Sequence, residues 1–520
     1  MVAFVRHIKE YHEQSKHHPA KFAESLGFMD WANQPNPFRS YEGTPKLDLP
    51  FLQGPVPGKL YTEAVEPKPV DLESVGALFE LSLGLSAWKR YGDSRWALRM
   101  NPSSGNLHPT ESYLVGLGGV YHYDSLHHQL ERRAELPQWL AAGTGFWVGL
   151  STITVRETWK YGVRGYRYCQ LDLGHALGAL GYSAALNGWK VKVLDHLSTD
   201  QVGVILGLDG VDWPPHQSEE PDMLLRIGPK GDEVSLPEPE SFRPLAWEGE
   251  PNLLCQKPHP WRPVDQAYRL CNKPAGGNLQ RLLPEGEGPA PSELSGETLI
   301  RQRRSGQTYS EEDSAMKQGS FWEILQACLP RRGKAPFDVS LGEPQVNLVL
   351  MVHRVEGVAP GTYLLCRNER DLGGLKAALD SRFAWDKVPT PMDLPLYLLE
   401  EGDTRNFAAN LSCNQEIASS GSFSLSMLSC FEGAMKEDQF VYPRLFWECG
   451  LIGQALYLGA ESQGFRGTGI GCYFDDQMHG YLGLTTASHQ SLYHFTLGAA
   501  VEDQRLTTEP PYPEGRNLDR

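Results

Sequence analysis

Two stretches of this chain, 276 positions apart, carry the same pattern of residues. The segment that begins at Tyr166 reads YRYCQLDLGHALGALGYSAALNGW, and the segment that begins at Tyr442 reads YPRLFWECGLIGQALYLGAESQGF. Without any gap, Gly174 coincides with Gly450, Ala184 with Ala460 and Gly188 with Gly464. The same offset carries LGL at residues 206–208 onto LGL at residues 482–484. A repeat of this length predicts a duplicated fold, with one copy in each half of the chain.

The region between the two copies has a different composition. Residues 236–296 are rich in proline and glutamate, which favours an extended tether, although NLLCQKPHPWRPVDQAYRL within it is apolar enough to pack. A chain of 520 residues is long enough for two domains. We therefore predict a first domain over residues 1–235, a linker over residues 236–296 and a second domain over residues 297–520.

Within each copy, hydrophobic patterning predicts helices and strands in mixed order. Both repeated segments have small and apolar residues in a dense helical pattern, typical of a helix buried on nearly all sides. The segments at residues 111–124, 345–355 and 490–501 are rich in aliphatic, β-branched and aromatic residues, as buried strands are. Because no regular β-α-β alternation appears, we expect the α+β class.

Composition narrows the classes of partner. A net charge of −16 argues against a nucleic acid or a membrane surface as the main partner, since both require clustered Lys and Arg. The nine cysteines contain no C-x-x-C pair, and the N-terminus is charged by residue 6, so reduced thiols in a cytoplasmic protein are expected. His7, His12, His17 and His18 lack partners at zinc-like spacing, which favours a solvated helical face over a metal site.

One short segment does not fit the helical or the strand period. Residues 101–109 read NPSSGNLHP, with two serines, a glycine and an asparagine between two prolines. The prolines would hold the turn in one conformation, and the polar side chains would be free to meet a ligand. An Asx-type surface turn is the alternative.

Five segments together resemble the FMN-dependent nitroreductase family. They are NPSSGNLHP, RRSG at residues 303–306, Gln415, the helix ECGLIGQALYLGAESQG and GTGIGCYFDD at residues 467–476. YHEQSK at residues 11–16 and FRSYEG at residues 38–43 are similar to the SagB-type dehydrogenase branch. The resemblance implies an α+β fold of two tandem nitroreductase-like domains that form an intramolecular pseudo-dimer, with FMN in a groove between them.

The resemblance also implies which residues hold FMN. The basic segment and Arg505 would bind the phosphate, the glycine segment would turn its N–H groups toward the flavin ring, and Asn106 and Gln415 would offer amides. The alternatives are a solvated linker end for the basic segment, a simple glycine turn, and a helix-start glutamine. The implied cofactor-binding residues are Pro102, Ser103, Ser104, Asn106, Arg303, Arg304, Ser305, Gln415, Gly469, Ile470, Gly471 and Arg505.

The two copies have kept different motifs. At the offset of 276, the Gly469–Gly471 segment falls on VLD at residues 193–195, and the second copy has APFDVSLGEP from Ala335 where the proline-serine turn is expected. One groove would therefore combine both sets of motifs. The other would place Arg39 and Ser40 opposite Asp338 and Ser340, with an acidic side chain near the flavin. We expect one FMN per chain.

The resemblance implies hydride transfer through the flavin rather than an acid–base pair. His108, Tyr166 and Tyr168, with Arg167, are weak catalytic candidates, and each is more often a structural residue. No Rossmann fingerprint is present, so NAD(P)H would bind transiently over the flavin, and Gln307 replaces the basic residue of many relatives. The substrate would be a modified peptide, as in azoline dehydrogenation, or a small nitroaromatic or quinone. A flavin- or peptide-binding pseudoenzyme without turnover is the alternative.

Overall fold

Each half of the chain folds around one long buried helix and one antiparallel sheet. The computed structural model describes residues 4–54, 56, 58–61, 65–137, 145–229, 238–277, 283–436 and 438–512. In the first half and the segment after it, the helices are α1 (Ile8–Gln14), α2 (Leu72–Ser82), α3 (Thr154–Tyr161), α4 (Gly165–Leu186), α5 (Thr199–Leu206) and α6 (Arg262–Leu270). The strands are β1 (Tyr41–Glu42), β2 (Lys46–Asp48), β3 (Leu85–Tyr91), β4 (Ser94–Arg99), β5 (Thr110–Gly116), β6 (Gly119–Asp124), β7 (Gln129–Glu135), β8 (Phe146–Thr152), β9 (Trp189–Val193), β10 (Glu220–Pro229) and β11 (Glu250–Pro251).

The second half repeats this arrangement with additional short elements. Its helices are α7 (Gly296–Gln302), α8 (Gln318–Ala327), α9 (Leu372–Ala378), α10 (Arg405–Leu411), α11 (Ile417–Ser420), α12 (Phe431–Ala434), α13 (Tyr442–Ser462) and α14 (Asp475–Leu482). Its strands are β12 (Tyr309–Ser310), β13 (Met316–Lys317), β14 (Val346–Val352), β15 (Val355–Glu356), β16 (Gly361–Leu365), β17 (Asp386–Lys387), β18 (Leu396–Glu401), β19 (Phe423–Ser429), β20 (Arg466–Ile470), β21 (Gln490–Ala500) and β22 (Thr507–Glu509).

The main sheets of the two halves have matching strand orders. The first runs β2-β7-β6-β5-β8-β10-β9, and the second runs β17-β18-β16-β14-β19-β21, with β20 and β12 also paired to β21. Neighbouring strands in both sheets are antiparallel. The strands predicted at residues 111–124, 345–355 and 490–501 are β5 with β6, β14 and β21, so these predictions are confirmed. The predicted central helices are α4 and α13.

The two central helices pack against each other at the glycines that mark the repeat. A Cβ atom on Gly174 would lie 2.4 Å from the Trp447 carbonyl oxygen, and one on Gly450 would lie 2.4 Å from the Leu171 carbonyl oxygen. Real side chains do not fit at such distances, so only glycine allows the helices to approach this closely. The repeat therefore identifies the point at which the halves of the molecule meet.

Each half also receives a terminal segment from the other. At the start of the chain, the Ile8 N–H donates to Gln439 at 2.7 Å, and His17 forms a β-bridge with Phe474. At the far end, β22 pairs with β3, and the Tyr512 hydroxyl accepts from the Leu85 N–H at 3.0 Å. The halves are therefore interleaved at both ends of the chain.

The N-terminal histidines do not form the expected solvated face. His12 and His17 are only 1% and 9% exposed. His12 hydrogen-bonds to Tyr442 and Gln490, each at 3.1 Å. The expectation was wrong for these two residues because α1 and the residues that follow it pack against the second half of the molecule.

The segment between the copies contributes packed structure where it is described. Trp261, Val264 and Ala267 are buried in the main core through α6, and β11 pairs with β1. The expected boundary at residues 235 and 236, and residues 278–282 of the expected linker, lie outside the described residues. No helix among the described residues is long and apolar enough to cross a membrane.

Candidate functional site

A cavity of about 270 Å³ lies where the two halves meet. This volume is near the lower end of the roughly 300–1,000 Å³ typical of small-molecule sites. The first half supplies β4, the turn after it, and α4. The second half supplies the segment after α7, with α13, β20 and the end of β21. The residues that line the cavity and are used below are Lys89, Arg99, Pro102, Ser103, Ser104, Asn106, Asp172, His175, Arg303, Arg304, Ser305, Gln307, Tyr457, Arg466, Thr468, Gly469, Tyr493, Glu502 and Asp503.

The turn at residues 102–106 is held by hydrogen bonds to its own half. The Ser103 hydroxyl accepts from the His108 N–H at 2.8 Å. Both the N–H and the hydroxyl of Ser104 donate to Asp172, at 3.1–3.2 Å. Asn106 and His108 have φ angles of 56° and 52°, a left-handed conformation that costs free energy in residues other than glycine. Asp172 and His108 therefore fix the turn together with its prolines.

Basic side chains gather on one wall of the cavity. They are Lys89, Arg303, Arg304 and Arg466. With Arg99 they outnumber the acidic residues of the same cavity, which are Asp172, Glu502 and Asp503. Burial, then the charges of Arg303 and Arg466, lower the pKa of Arg304 to about 10. Burial also lowers the pKa of Arg303. Cations that repel one another in a partly buried wall create a site for an anion.

Arg303 has an unused hydrogen-bond donor. It is 4% exposed, its Nη2 donates to the Arg99 carbonyl oxygen at 3.1 Å, and its guanidinium lies 5.1 Å from the Tyr457 ring centroid. Its Nε is buried and has no hydrogen-bond partner among the described residues. A buried donor without an acceptor costs free energy, and a phosphate oxygen is a strong acceptor for a guanidinium. The residues present therefore fit a phosphate group.

Two carboxyl groups are buried behind the turn. Burial raises the pKa of Asp172 to about 7, although hydrogen bonds from Ser103 and Ser104 oppose the shift. The pKa of Glu157 is also raised, by burial first and by Asp172 second. Glu157 and Asp172 interact, so a proton held by Glu157 can be shared with the Asp172 carboxylate. Asp172 can therefore hold or release a proton at the cavity wall near neutral pH.

The glycine segment is a strand rather than the loop that was expected. Gly469 lies in β20, which pairs with β21. A Cβ atom on Gly469 would lie 1.8 Å from the Tyr493 hydroxyl, and one on Gly471 would lie 2.0 Å from the Tyr168 ring. The Gly469 N–H donates to the Tyr457 hydroxyl at 3.1 Å. In this structure, these glycines make room for tyrosines.

The comparisons with known proteins give a likeness of fold. No protein-family model matches the chain, and no curated protein matches it. Among solved structures, a candidate nitroreductase from Anabaena variabilis aligns with a TM-score of 0.69 at 20% identity, covering 95% of this chain and 99% of that chain. The chain has the nitroreductase fold.

Other solved structures align with only part of this nitroreductase-fold chain. A candidate nitroreductase from Ralstonia eutropha has a TM-score of 0.27 at 17% identity, covering 39% of this chain and 95% of that chain. The E. coli microcin synthetase McbBCD complex with truncated pro-MccB17 has a TM-score of 0.25 at 17% identity, covering 45% of this chain and 84% of that chain.

Some residues implied by the nitroreductase resemblance lie away from the cavity wall. Gln415 precedes α11 and donates to the carbonyl oxygens of Ser412 and Cys472 at 2.7 and 3.1 Å. Arg505 is on the surface and pairs with Asp503 at 2.7 Å. Ile470 is buried in a core cluster with β14 and α14, and Gly471 faces Tyr168. These four positions are not among the residues that line the cavity.

The catalytic candidates are packed in the interior. His108 bonds to the Ala97 carbonyl oxygen at 3.1 Å, and burial lowers its pKa to about 3. Tyr166 makes edge contacts with other tyrosine rings, and Tyr168 stacks on Tyr161 with ring centroids 4.1 Å apart. None of the three lines the cavity, so the structure supports the alternative of a packing role. Arg167 is paired with the buried Asp475 at 2.6 Å.

Several cavity residues were not predicted from the sequence. Asp172 and His175 lie three residues apart on α4, which is mostly apolar from Leu171 onward, and both face the cavity. The His175 Nε2 hydrogen-bonds to Tyr493 at 3.2 Å, and burial followed by Arg303 lowers its pKa to about 3. Two polar residues at this spacing in a mostly apolar helix could have been recognised in the sequence as candidate site residues.

The expected second groove is not assembled from the predicted residues. The Arg39 guanidinium donates to the carbonyl oxygens of Asn252 and Gln217 at 2.6 and 2.9 Å. Asp338 instead pairs with Lys190 at 3.1 Å. Arg39 therefore joins the segments before and after β10, which is a structural role.

Proposed function

We propose that this protein is an FMN-dependent oxidoreductase built from two tandem nitroreductase-like domains in an intramolecular pseudo-dimer. One FMN would occupy the cavity between the halves. The observation that carries the proposal is the meeting of the turn at Ser103–Asn106, from the first half, with the basic segment at Arg303–Ser305, from the second. The nitroreductase fold supports it.

The chain's own residues would bind and orient the cofactor. When bound, FMN supplies hydride or electron transfer at its N5 atom. Arg303 and Arg304 would hold the phosphate dianion, aided by Ser305, whose hydroxyl lies 2.9 Å from that of Tyr457. Asp172, through its hydrogen bonds to Ser104, would fix the turn and hold a proton at an Oδ atom beside the cavity. His175 stays neutral and orients Tyr493.

The finer assignment rests on the sequence resemblance. We propose the SagB-type dehydrogenase branch, with a modified peptide or a small organic acceptor as substrate and NAD(P)H as a transient donor. The exposed side of the cavity, formed by Lys89, Arg466 and Gln307, is where such a donor would approach. We propose a cytoplasmic protein that needs no second chain to complete its site.

Spectroscopy of the purified protein tests the proposal. The protein should show the absorption of bound oxidised flavin, which NAD(P)H should bleach and a quinone or nitroaromatic acceptor should restore. If the protein binds FMN but neither NADH nor NADPH bleaches the flavin absorption, the protein is a flavin-binding pseudoenzyme instead. A protein that takes up no FMN on reconstitution would contradict the proposal.

A further inference from the structure

Two cysteines distant in sequence meet just beyond β20, outside the cavity. The sulfur atoms of Cys413 and Cys472 lie 2.7 Å apart, although 59 positions separate the residues. Both side chains are partly exposed, whereas the other cysteines except Cys430 are buried. The pair is therefore open to small solutes, unlike the buried thiols that act as small hydrophobic residues.

Hydrogen bonds to backbone carbonyl oxygens hold the two thiols together. The Phe474 N–H donates to the Leu411 carbonyl oxygen at 2.8 Å, and the Gln415 side-chain amide donates to the Cys472 carbonyl oxygen at 3.1 Å. Cys413 and Asn414 have φ angles of 55° and 60°, a conformation that residues other than glycine adopt at a cost. The surrounding bonds thus keep Cys413 in a strained position facing Cys472.

Basic groups surround Cys472. His17 Nδ1 accepts from the Ala23 N–H at 2.9 Å, so the imidazole proton is on Nε2, which is left to donate to the Cys472 sulfur. Arg164 Nε donates to the Gly471 carbonyl oxygen at 3.1 Å. The hydrogen bond with Cys413, then His17 and Arg164, lowers the pKa of Cys472 to about 5 against the opposing effect of burial.

The remaining titratable groups near the pair do not offset this arrangement. The Asp475 carboxylate is paired with Arg164 and Arg167 at 3.0 and 2.6 Å. The phenols of Tyr161 and Tyr168 have raised pKa values because they are buried, so both are neutral near pH 7. The hydrogen bond with Cys472, and burial after it, raise the pKa of Cys413. The pair therefore holds one thiolate, on Cys472, and one thiol, on Cys413.

We propose that Cys413 and Cys472 form a redox-active dithiol that exchanges with low-molecular-weight disulfides. The Cys472 thiolate attacks one sulfur of the disulfide, so that a protein–small-molecule S–S bond forms and the first small thiolate leaves and takes up a proton. Cys413 then loses its proton and attacks Cys472, and the second small thiolate leaves. The dithiol is oxidised by two electrons, and the small disulfide is reduced to two thiols.

Glutathione exchange on the full-length protein tests this inference. After incubation with oxidised glutathione, thiols are blocked with a maleimide and counted by mass spectrometry. The wild type should lose two reactive thiols together and yield a Cys413–Cys472 cross-linked peptide. Cys413→Ser should accumulate a lasting glutathione adduct on Cys472, because the resolving thiol is gone. In Cys472→Ser, glutathione should add to the remaining Cys413 more than tenfold more slowly than it adds to Cys472 in Cys413→Ser.

Cys430→Ser is the matched control, since Cys430 is also partly exposed but has no thiol partner among the described residues, and burial raises its pKa. It should behave as the wild type. The inference is overturned if Cys472 reacts no faster than Cys430, or if Cys413→Ser leaves no adduct on Cys472. Because the readout is thiol chemistry, it is independent of whether the protein binds FMN.

Discussion

At the scale of single residues, the buried carboxyl of Asp172 makes stability depend on pH. Its pKa is raised from 3.8 to about 7, so the folded state keeps a proton that the unfolded state releases. The stabilisation is fully present below about pH 4 and is lost as pH rises toward 7, by at most about 4 kcal/mol. Asp172→Asn should therefore flatten the fall in the free energy of unfolding between pH 4 and 7, measured by urea denaturation.

Asp222→Asn is the matched control for this prediction. Burial raises the pKa of Asp222 to about 7 as well, but Asp222 bonds to Thr152 at 2.6 Å and does not line the cavity. Both variants should flatten the pH dependence of stability, and only Asp172→Asn should change the pH dependence of FMN affinity. Equal effects of the two variants on FMN affinity would show that Asp172 acts only on stability.

Arg303 should affect FMN binding and stability in opposite directions. Arg303→Met removes a charge-assisted contact to the phosphate, so FMN affinity should fall more than tenfold by fluorescence titration. The flavin-free protein should keep its stability or gain some, because a buried cation beside Arg304 and Arg466 is removed. Arg505→Met, on the surface, should change neither. The prediction fails if the flavin-free Arg303→Met protein unfolds more easily and its FMN affinity is unchanged. Arg303 would then have a structural role only.

At the scale of elements, the contact between α4 and α13 depends on glycine. Gly450→Ala would place a methyl group 2.4 Å from the Leu171 carbonyl oxygen, and backbone atoms cannot move aside without separating the helices. We expect the free energy of unfolding to fall by about 2 kcal/mol or more. The cavity lies between the halves, so FMN affinity should fall too.

The control for this substitution is Gly480→Ala. Gly480 is an exposed residue of α14, and a Cβ atom there would meet nothing within 4 Å. Replacing glycine by alanine in a helix should stabilise the protein by up to about 1 kcal/mol. If Gly450→Ala were as harmless as Gly480→Ala in chemical denaturation, the helices would not be held at this crossing.

At the scale of the whole molecule, the two central helices and their closest approach were predictable because the local pattern around Gly174 recurs around Gly450. The offset that matches Gly174 with Gly450 identifies the two residues at which α4 and α13 cross. Gly207 and Gly483, in the repeated LGL, end α5 and α14 with φ angles of 67° and 75°. The central helices and several strands were also predictable, because hydrophobic periodicity is a local pattern as well.

Contacts between distant segments could not be predicted in this way. The pairing of β22 with β3, the burial of His12 and the meeting of Cys413 with Cys472 join residues whose own neighbourhoods carry no matching pattern. Tyr493 reaches the cavity through the same long-range packing. The glycines of β20 resembled a ligand loop in sequence, because the tyrosines that occupy the space beside them come from elsewhere in the chain.

The stoichiometry of FMN tests the central claim, a single cofactor site built from both halves. The purified protein, reconstituted and freed of excess flavin, is denatured, and released FMN is measured against protein. We predict one FMN per chain, with affinity lowered both by Arg303→Met in the second half and by Asn106→Ala in the first. Two FMN per chain, no FMN after reconstitution, or an affinity sensitive to only one half would contradict the account.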